Sequence, residues 1–200
     1  MSGDFQPKSG DALLIVDVQN DFLPGGSLAV AAGDQIVGML NDYIAAFLKQ
    51  GLPIYATRDW HTPDHCSFQA QGGPWPPHCV AGSQGAGFAP GLQLPEDRAT
   101  VISKATRHDQ DAYSGFECTD LAERLRADGM HRLFIGGLAT DYCVLNTVQD
   151  ALHQGFAVLL LEDAVRAVNV QPEDGARAIT AMCEQGAVPI TLAEVTCGSR

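Results

Sequence analysis

The chain has 200 residues, 46% of them hydrophobic, which fits a single domain over residues 1–200 with its core at about 11–192. Its formal net charge of −12, without a cluster of lysines or arginines, argues against nucleic acid and anionic membranes as partners. No apolar run reaches the roughly 20 residues of a membrane span, and the first residues lack the pattern of a signal peptide, so we expect a cytoplasmic protein.

Along the chain, short apolar runs alternate with amphipathic helical patterns. Unbroken apolar runs are typical of strands covered on both faces, and they predict strands at 12–16, 53–57, 100–103, 133–135, 157–161 and 188–191. The helical spacing predicts helices at about 34–50, 119–127, 140–152 and 173–185, with a long loop at 62–98. This order predicts an α/β fold with three layers, α/β/α, around a single doubly wound, largely parallel six-stranded sheet.

Polar residues follow the first four predicted strands, in the order Asp17, then Asp59 and His61, then Lys104, then Cys143. In open α/β sheets, ligands bind beyond the carboxyl ends of the strands. Each residue alone has an ordinary structural role, with Asp17 as a turn cap, Asp59 as a salt-bridge partner and Lys104 as a solvated strand end. Their shared edge of the sheet favours a functional site.

Cys143 is the candidate nucleophile at this edge. If Thr140 caps the following helix, Cys143 lies in its first turn, where free N–H groups and the helix dipole favour a thiolate. A thiolate can attack a carbonyl carbon while a carboxylate carries the proton and an ammonium stabilises the charges. The alternatives are a buried, inert cysteine and a dyad with His108 or His131, neither of which follows a strand. All six cysteines are expected to be thiols.

A second candidate set consists of Asp59, His61 and His78. Two imidazoles and one carboxylate can bind a metal and leave coordination positions open, as catalytic sites require. The two histidines could equally be hydrogen-bonded loop residues. His65, Ser67 or water are candidates for a further ligand. A metal-binding module without catalysis, in which the cysteine is structural, remains an alternative at this point.

An ordered series of segments resembles the nicotinamidases, also called pyrazinamidases, of the isochorismatase-like cysteine hydrolase group. The matching segments are Leu14–Phe22, Pro24–Leu28, Thr57–His61, Gly73–Val80, Lys104–Thr106, Ala112–Phe116 and Gly137–Val144. The resemblance implies a metal-dependent amidohydrolase that converts nicotinamide to nicotinic acid and ammonia through a thioester, in NAD salvage, and that also accepts pyrazinamide. Another amidase of the group, acting on a ureido or carbamoyl compound, would keep the catalytic residues and lack the metal set.

The resemblance also implies a role for each matching residue. It implies a catalytic triad of Asp17, Lys104 and Cys143, and metal ligands Asp59, His61 and His78. It implies ring-binding residues Phe22, Trp75 and Tyr113, and an oxyanion hole formed by the N–H groups of Ala139 and Cys143 beside a cis Leu138–Ala139 peptide. One divalent metal per chain is expected, zinc first, with iron and manganese as alternatives. Homo-oligomers are common in the family, and the sequence leaves the oligomeric state open.

Overall fold

The computed structural model describes residues 5–196, so Met1, Cys197 and their neighbours lie outside the described residues. The sheet has six strands, all parallel. The strands are β1 (Asp11–Val16), β2 (Ile54–Asp59), β3 (Ala99–Lys104), β4 (Arg132–Leu138), β5 (Ala157–Arg166) and β6 (Val188–Ile190). Their order across the sheet is β3-β2-β1-β4-β5-β6. The predicted six-stranded α/β fold is confirmed.

Helices cover both faces of this sheet. They are α1 (Ile36–Lys49), α2 (Leu121–Ala127), α3 (Leu145–His153), α4 (Asp174–Glu184) and α5 (Leu192–Thr196). Helices α1 and α5 pack on one face, whereas α2, α3 and α4 pack on the other. None of these helices, within the described part of the chain, has the length and apolar character needed to cross a bilayer.

The central strand β1 explains why its sequence is an unbroken apolar run. All six of its residues are buried. Because side chains alternate along a strand, Leu13 and Ile15 join the core under α1, while Leu14 and Val16 join the core under α2 and α3. A strand covered on both faces has no polar side, so the period-two alternation of a half-exposed strand is absent.

Several elements differ from the sequence prediction near the functional edge, where β4 and β5 end beyond their predicted limits, at Leu138 and Arg166. Strand β2 continues to Asp59, so this carboxylate belongs to the strand itself. The predicted helix at 140–152 is divided into a π-helical turn, Thr140–Val144, and α3, and the extended residue before the turn is Ala139. The Thr140 cap is therefore not formed. The N–H group of Val144 donates to the Ala139 carbonyl, five residues before it, at 3.1 Å, and this bond makes the turn wider than an α-helical one.

Strands β1 and β4 are neighbours, and the chain continues outward from them in opposite directions across the sheet. This arrangement opens a crevice at the carboxyl ends of the two strands. Asp17 leaves β1 and the π-helical turn leaves β4 at this crevice. The long segment between β2 and β3, whose regular structure is one short turn at Gln69–Gln71, lies along the same edge.

Candidate active site

Lys104 lies at the centre of a buried cluster of reactive groups. Its ammonium is 3.0 Å from a carboxylate oxygen of Asp17 and 2.5 Å from one of Asp59. It also donates to the Ala112 carbonyl at 3.0 Å and lies 3.5 Å from the sulfur of Cys143. The structure thus brings together the three residues predicted as a triad, although they come from three different strand ends. The lysine is 1% exposed, so the charges in this cluster must compensate one another.

Asp17 is held in place from the neighbouring strand. The hydroxyl of Thr57 donates to one carboxylate oxygen of Asp17 at 2.7 Å, and both residues are fully buried. The other oxygen faces Lys104, and a carboxylate oxygen of Asp17 lies within 4.8 Å of the sulfur of Cys143. Asp17 is therefore the carboxylate placed to accept the thiol proton.

Burial decides the resting protonation of the nucleophile. It raises the pKa of Cys143 well above the ordinary value for a thiol, against the opposing effect of Lys104. Burial also raises the pKa of Asp17, again opposed by Lys104. The pKa of Lys104 is raised because its carboxylate neighbours outweigh its own desolvation. The resting cysteine is therefore a thiol beside a base, and not the thiolate that its place near a helix start suggested.

Three side chains next to this cluster fit a metal ion. Ligand atoms of Asp59, His61 and His78 all lie within 4.8 Å of one another. The Nδ1–H of His61 donates to the His78 carbonyl at 3.0 Å, and that of His78 donates to the Pro76 carbonyl at 2.8 Å. These bonds leave each Nε2 with a free lone pair, and Nε2 of His61 is buried without a hydrogen-bond partner. Carbonyl bonds of this kind orient metal-ligating histidines.

The charge state of this set also suits a cation. Burial lowers the pKa of His61 to about 4, so its imidazole is neutral at pH 7, the form that binds a metal. The pKa of Asp59 is lowered because Lys104 and the histidines outweigh its desolvation, so this carboxylate is ionised. The donor set therefore fits a borderline divalent cation such as zinc.

His65 is engaged elsewhere. One ring nitrogen hydrogen-bonds to the Ser67 hydroxyl at 2.8 Å and the other to the Gln110 carbonyl at 3.1 Å. Its ring stacks on that of His61 with centroids 4.2 Å apart. His65 therefore supports the His61 ring by stacking, and both of its ring nitrogens have hydrogen-bond partners.

One largely apolar cavity connects the thiol to the metal set. Its lining consists of Phe22, Leu28, Val30, Asp59, Trp75, His78, Tyr113, Ala139, Tyr142, Cys143 and Val168. The three residues predicted to bind a ring are thus present in its wall. The indole N–H of Trp75 donates to the hydroxyl of Tyr113 at 3.0 Å, and the ring of Tyr142 packs edge-on against Trp75 at 5.4 Å. Among these described residues none is a lysine or arginine.

Sequence reasoning missed several of these wall and support residues. Thr57, Tyr142 and Val168 were assigned no role, because an apolar or hydroxyl side chain carries no motif by itself. Tyr142 could have been found from its position next to the nucleophile. The Leu138–Ala139 peptide bond is cis, as the resemblance implied, and Ala139 lines the cavity beside Cys143.

Fold and site together define an α/β protein in which a buried Asp–Lys–Cys cluster and an Asp–His–His set share one cavity at the carboxyl edge of the sheet. The chain belongs to the isochorismatase family, since the Isochorismatase domain model matches residues 11–194. The resemblance found in the sequence is thereby confirmed.

Individual relatives cover nearly the whole chain. Over 204 residues it is 40% identical to the nicotinamidase of Escherichia coli K12, covering 92% of this chain and 95% of that protein. The pyrazinamidase of Pyrococcus horikoshii in complex with zinc matches with a TM-score of 0.88 at 50% identity, covering 92% of this chain and 99% of the other. PnC1 of L. infantum in complex with nicotinate matches with a TM-score of 0.86 at 37% identity, covering 94% and 96%.

Proposed function

We propose that this protein is a metal-dependent cysteine amidohydrolase that converts nicotinamide to nicotinic acid and ammonia, and that also hydrolyses pyrazinamide. The observation that supports the proposal is one cavity lined by Cys143, Asp59 and His78, in which a small ligand would contact both the nucleophile and the metal set. Relatives described as nicotinamidase and pyrazinamidase support the choice of substrate. The reaction supplies nicotinic acid for NAD salvage.

Asp59, His61 and His78 would hold one divalent metal, which supplies a Lewis acid for the ring nitrogen of the substrate and so orients the carboxamide. Zinc is our first choice, because the His61 imidazole is neutral and the related pyrazinamidase is a zinc complex. Iron and manganese share the same preference for imidazole and carboxylate ligands.

The chain's own residues carry the chemical steps. Asp17 takes the proton of Cys143, whose sulfur then attacks the carboxamide carbon. The N–H groups of Ala139 and Cys143 hold the oxygen that becomes negative, and Lys104 compensates the negative charge of the cluster. Asp17 returns the proton to the leaving nitrogen, and ammonia departs from a thioester. Asp17 then takes a proton from water, whose oxygen attacks the thioester carbon. The C–S bond breaks, the acid is released, and Asp17 returns the proton to the sulfur of Cys143.

The cavity wall favours a neutral, flat substrate. Phe22, Trp75 and Tyr113 present aromatic surface, and the Trp75–Tyr113 hydrogen bond fixes two of these rings. A substrate carrying its own carboxylate, as many ureido and carbamoyl compounds do, would meet no cationic side chain among the described lining residues. The ammonium of Lys104 is already shared by two carboxylates. The ureido or carbamoyl alternative is therefore the weaker proposal.

An ammonia-release assay tests this function. We expect the zinc-loaded protein to release ammonia from nicotinamide and from pyrazinamide. Cys143→Ala should abolish turnover while bound zinc, measured by elemental analysis, stays at the wild-type level. Cys183→Ala is the matched control, because this thiol lies on α4 outside the cavity. Wild-type protein that binds zinc without releasing ammonia would favour the non-catalytic module, and residual turnover in Cys143→Ala at the wild-type rate would refute the nucleophile.

We also propose that the reaction takes place in the cytoplasm. All five cysteines within residues 5–196 are free thiols, as a reducing compartment allows.

A further inference from the structure

The pairing between β1 and β2 ends before the metal set begins. The last paired residues are Ile15 and Ala56, and the N–H of Asp17 then donates to the Thr57 carbonyl at 3.2 Å. Asp59 therefore lies at the end of β2 with no strand beside it on the β1 side, although its other side still pairs with β3. Its buried N–H and carbonyl need other partners on the open side.

The side chain of Gln19 supplies both partners. The N–H of Asp59 donates to Oε1 of Gln19 at 2.8 Å, and Nε2 of Gln19 donates to the Asp59 carbonyl at 2.8 Å. A carboxamide carries the same donor and acceptor as a peptide group, so this side chain extends the sheet ladder where the backbone of β1 has turned away. Gln19 is fully buried and donates a further bond, 2.9 Å long, to the Ala86 carbonyl.

The orientation of this amide follows from its partners. Two carbonyls face one end of the side chain and an N–H faces the other, so only one assignment of nitrogen and oxygen satisfies all three bonds. A buried amide with three satisfied bonds is held rigidly, since losing any one of them leaves a buried polar group unpaired.

Asp59 is the residue for which this rigidity matters. Its carboxylate contacts Lys104 and also belongs to the metal set with His61 and His78. A rotation of the Asp59 backbone would move its carboxylate away from Lys104 and away from the two histidines of the metal set. We propose that Gln19 is a positioning residue, which fixes the Asp59 main chain so that its carboxylate is preorganised for the metal. The inference rests on the proposed metal site and assigns Gln19 no contact with substrate.

Two variants remove or weaken the hydrogen bonds of the Gln19 side chain without changing the net charge. Gln19→Met keeps a side chain of similar length and removes all three hydrogen bonds, while Gln19→Asn keeps the amide and shortens its reach by one methylene. The matched control is Asn20→Ala. The Asn20 side chain donates to the Gln84 carbonyl at 2.7 Å. It therefore joins the chain after β1 to the loop that also holds Ala86, as Gln19 does, but it has no hydrogen bond to Asp59.

The measurement is the zinc dissociation constant of the full chain, obtained by competition with a chromogenic chelator well below the melting temperature. We expect zinc to bind on the order of 10-fold more weakly or worse in both Gln19 variants, as for other groups that orient metal ligands. Asn20→Ala should bind zinc as the wild type does. Circular dichroism confirms that each variant is folded. If Gln19→Met does not fold, the comparison is made with Gln19→Asn.

A merely structural role gives a different result. Folded Gln19 variants with lower melting temperatures but wild-type zinc affinity would overturn the proposal, and so would an equal loss of affinity in Asn20→Ala. Ammonia release from nicotinamide is measured on the wild type in parallel. If the wild type binds zinc but releases no ammonia, the proposed function fails, whereas the zinc comparison still decides the role of Gln19.

Discussion

Replacing Lys104 with methionine would remove the only cation in contact with the two described carboxylates of the cluster, Asp17 and Asp59. Methionine has a similar length, so the loss is one of charge rather than of packing. Breaking a buried ion pair in this way costs about 3–5 kcal/mol. For a protein of this size, that cost corresponds to a fall in melting temperature of about 6–20 °C. Thermal unfolding of the metal-free protein, followed by circular dichroism, measures it.

The loss of stability in Lys104→Met should depend on pH, and the ionisation of the two carboxylates sets the direction of this dependence. In the wild type the pKa of Asp59 is lowered, so its contribution to stability is present above the unfolded pKa and is lost as pH falls. In Lys104→Met the unpaired carboxylates destabilise the fold most when both are ionised, and protonation relieves them. The deficit should therefore be larger at about pH 8 than at about pH 5.

Lys49→Met is the control for this substitution, because Lys49 is exposed at the end of α1. It should change the free energy of unfolding by no more than about 1 kcal/mol. A melting temperature of Lys104→Met equal to that of the wild type, or a deficit that grows in acid, would refute the charge argument.

Thr57→Val removes the hydroxyl that donates to Asp17 at 2.7 Å, a bond to a charged group worth about 1.5–3 kcal/mol. Steady-state kinetics should show kcat/KM for nicotinamide lowered on the order of 10–100-fold, with Thr57→Ser close to wild type; equal losses in both variants would contradict this. Trp75→Phe keeps an aromatic wall but removes the bond to Tyr113. It should raise KM several-fold with a smaller change in kcat, and a fall in kcat at unchanged KM would contradict a ring-binding role.

The strand ends were predictable because the sheet is parallel. An unbroken run such as Ala12–Val16 marks a covered strand, and all carboxyl ends of parallel strands meet at one edge. Polar residues directly after such runs were therefore expected to converge, and Asp17, Lys104 and Cys143 do so. The residue types then limit the chemistry, although their roles remain a proposal that the variants above test.

Other features depend on contacts that no local pattern contains. The π-helical turn at Thr140–Val144 keeps an apolar spacing close to that of a helix, so periodicity could not distinguish the two. The raised pKa of Cys143 comes from burial by distant segments, which a position near a helix start does not reveal. The side chain of Gln19 hydrogen-bonds to the backbone of Asp59 in β2, and an amide side chain gives no sequence signal for such a bond.

The site at the junction of β1 and β4 also has a consequence for folding kinetics. Leu13 of β1 pairs with Phe134 of β4, so the two strands that frame the crevice are separated in sequence by more than half of the chain. Such non-local pairing forms slowly, because the entropy of closing a long loop opposes it until the contacts are complete. Asp17 and Cys143 can meet only after this pairing. We therefore expect recovery of activity during refolding to lag behind recovery of helical signal, and a chain ending before β4 to lack the site altogether.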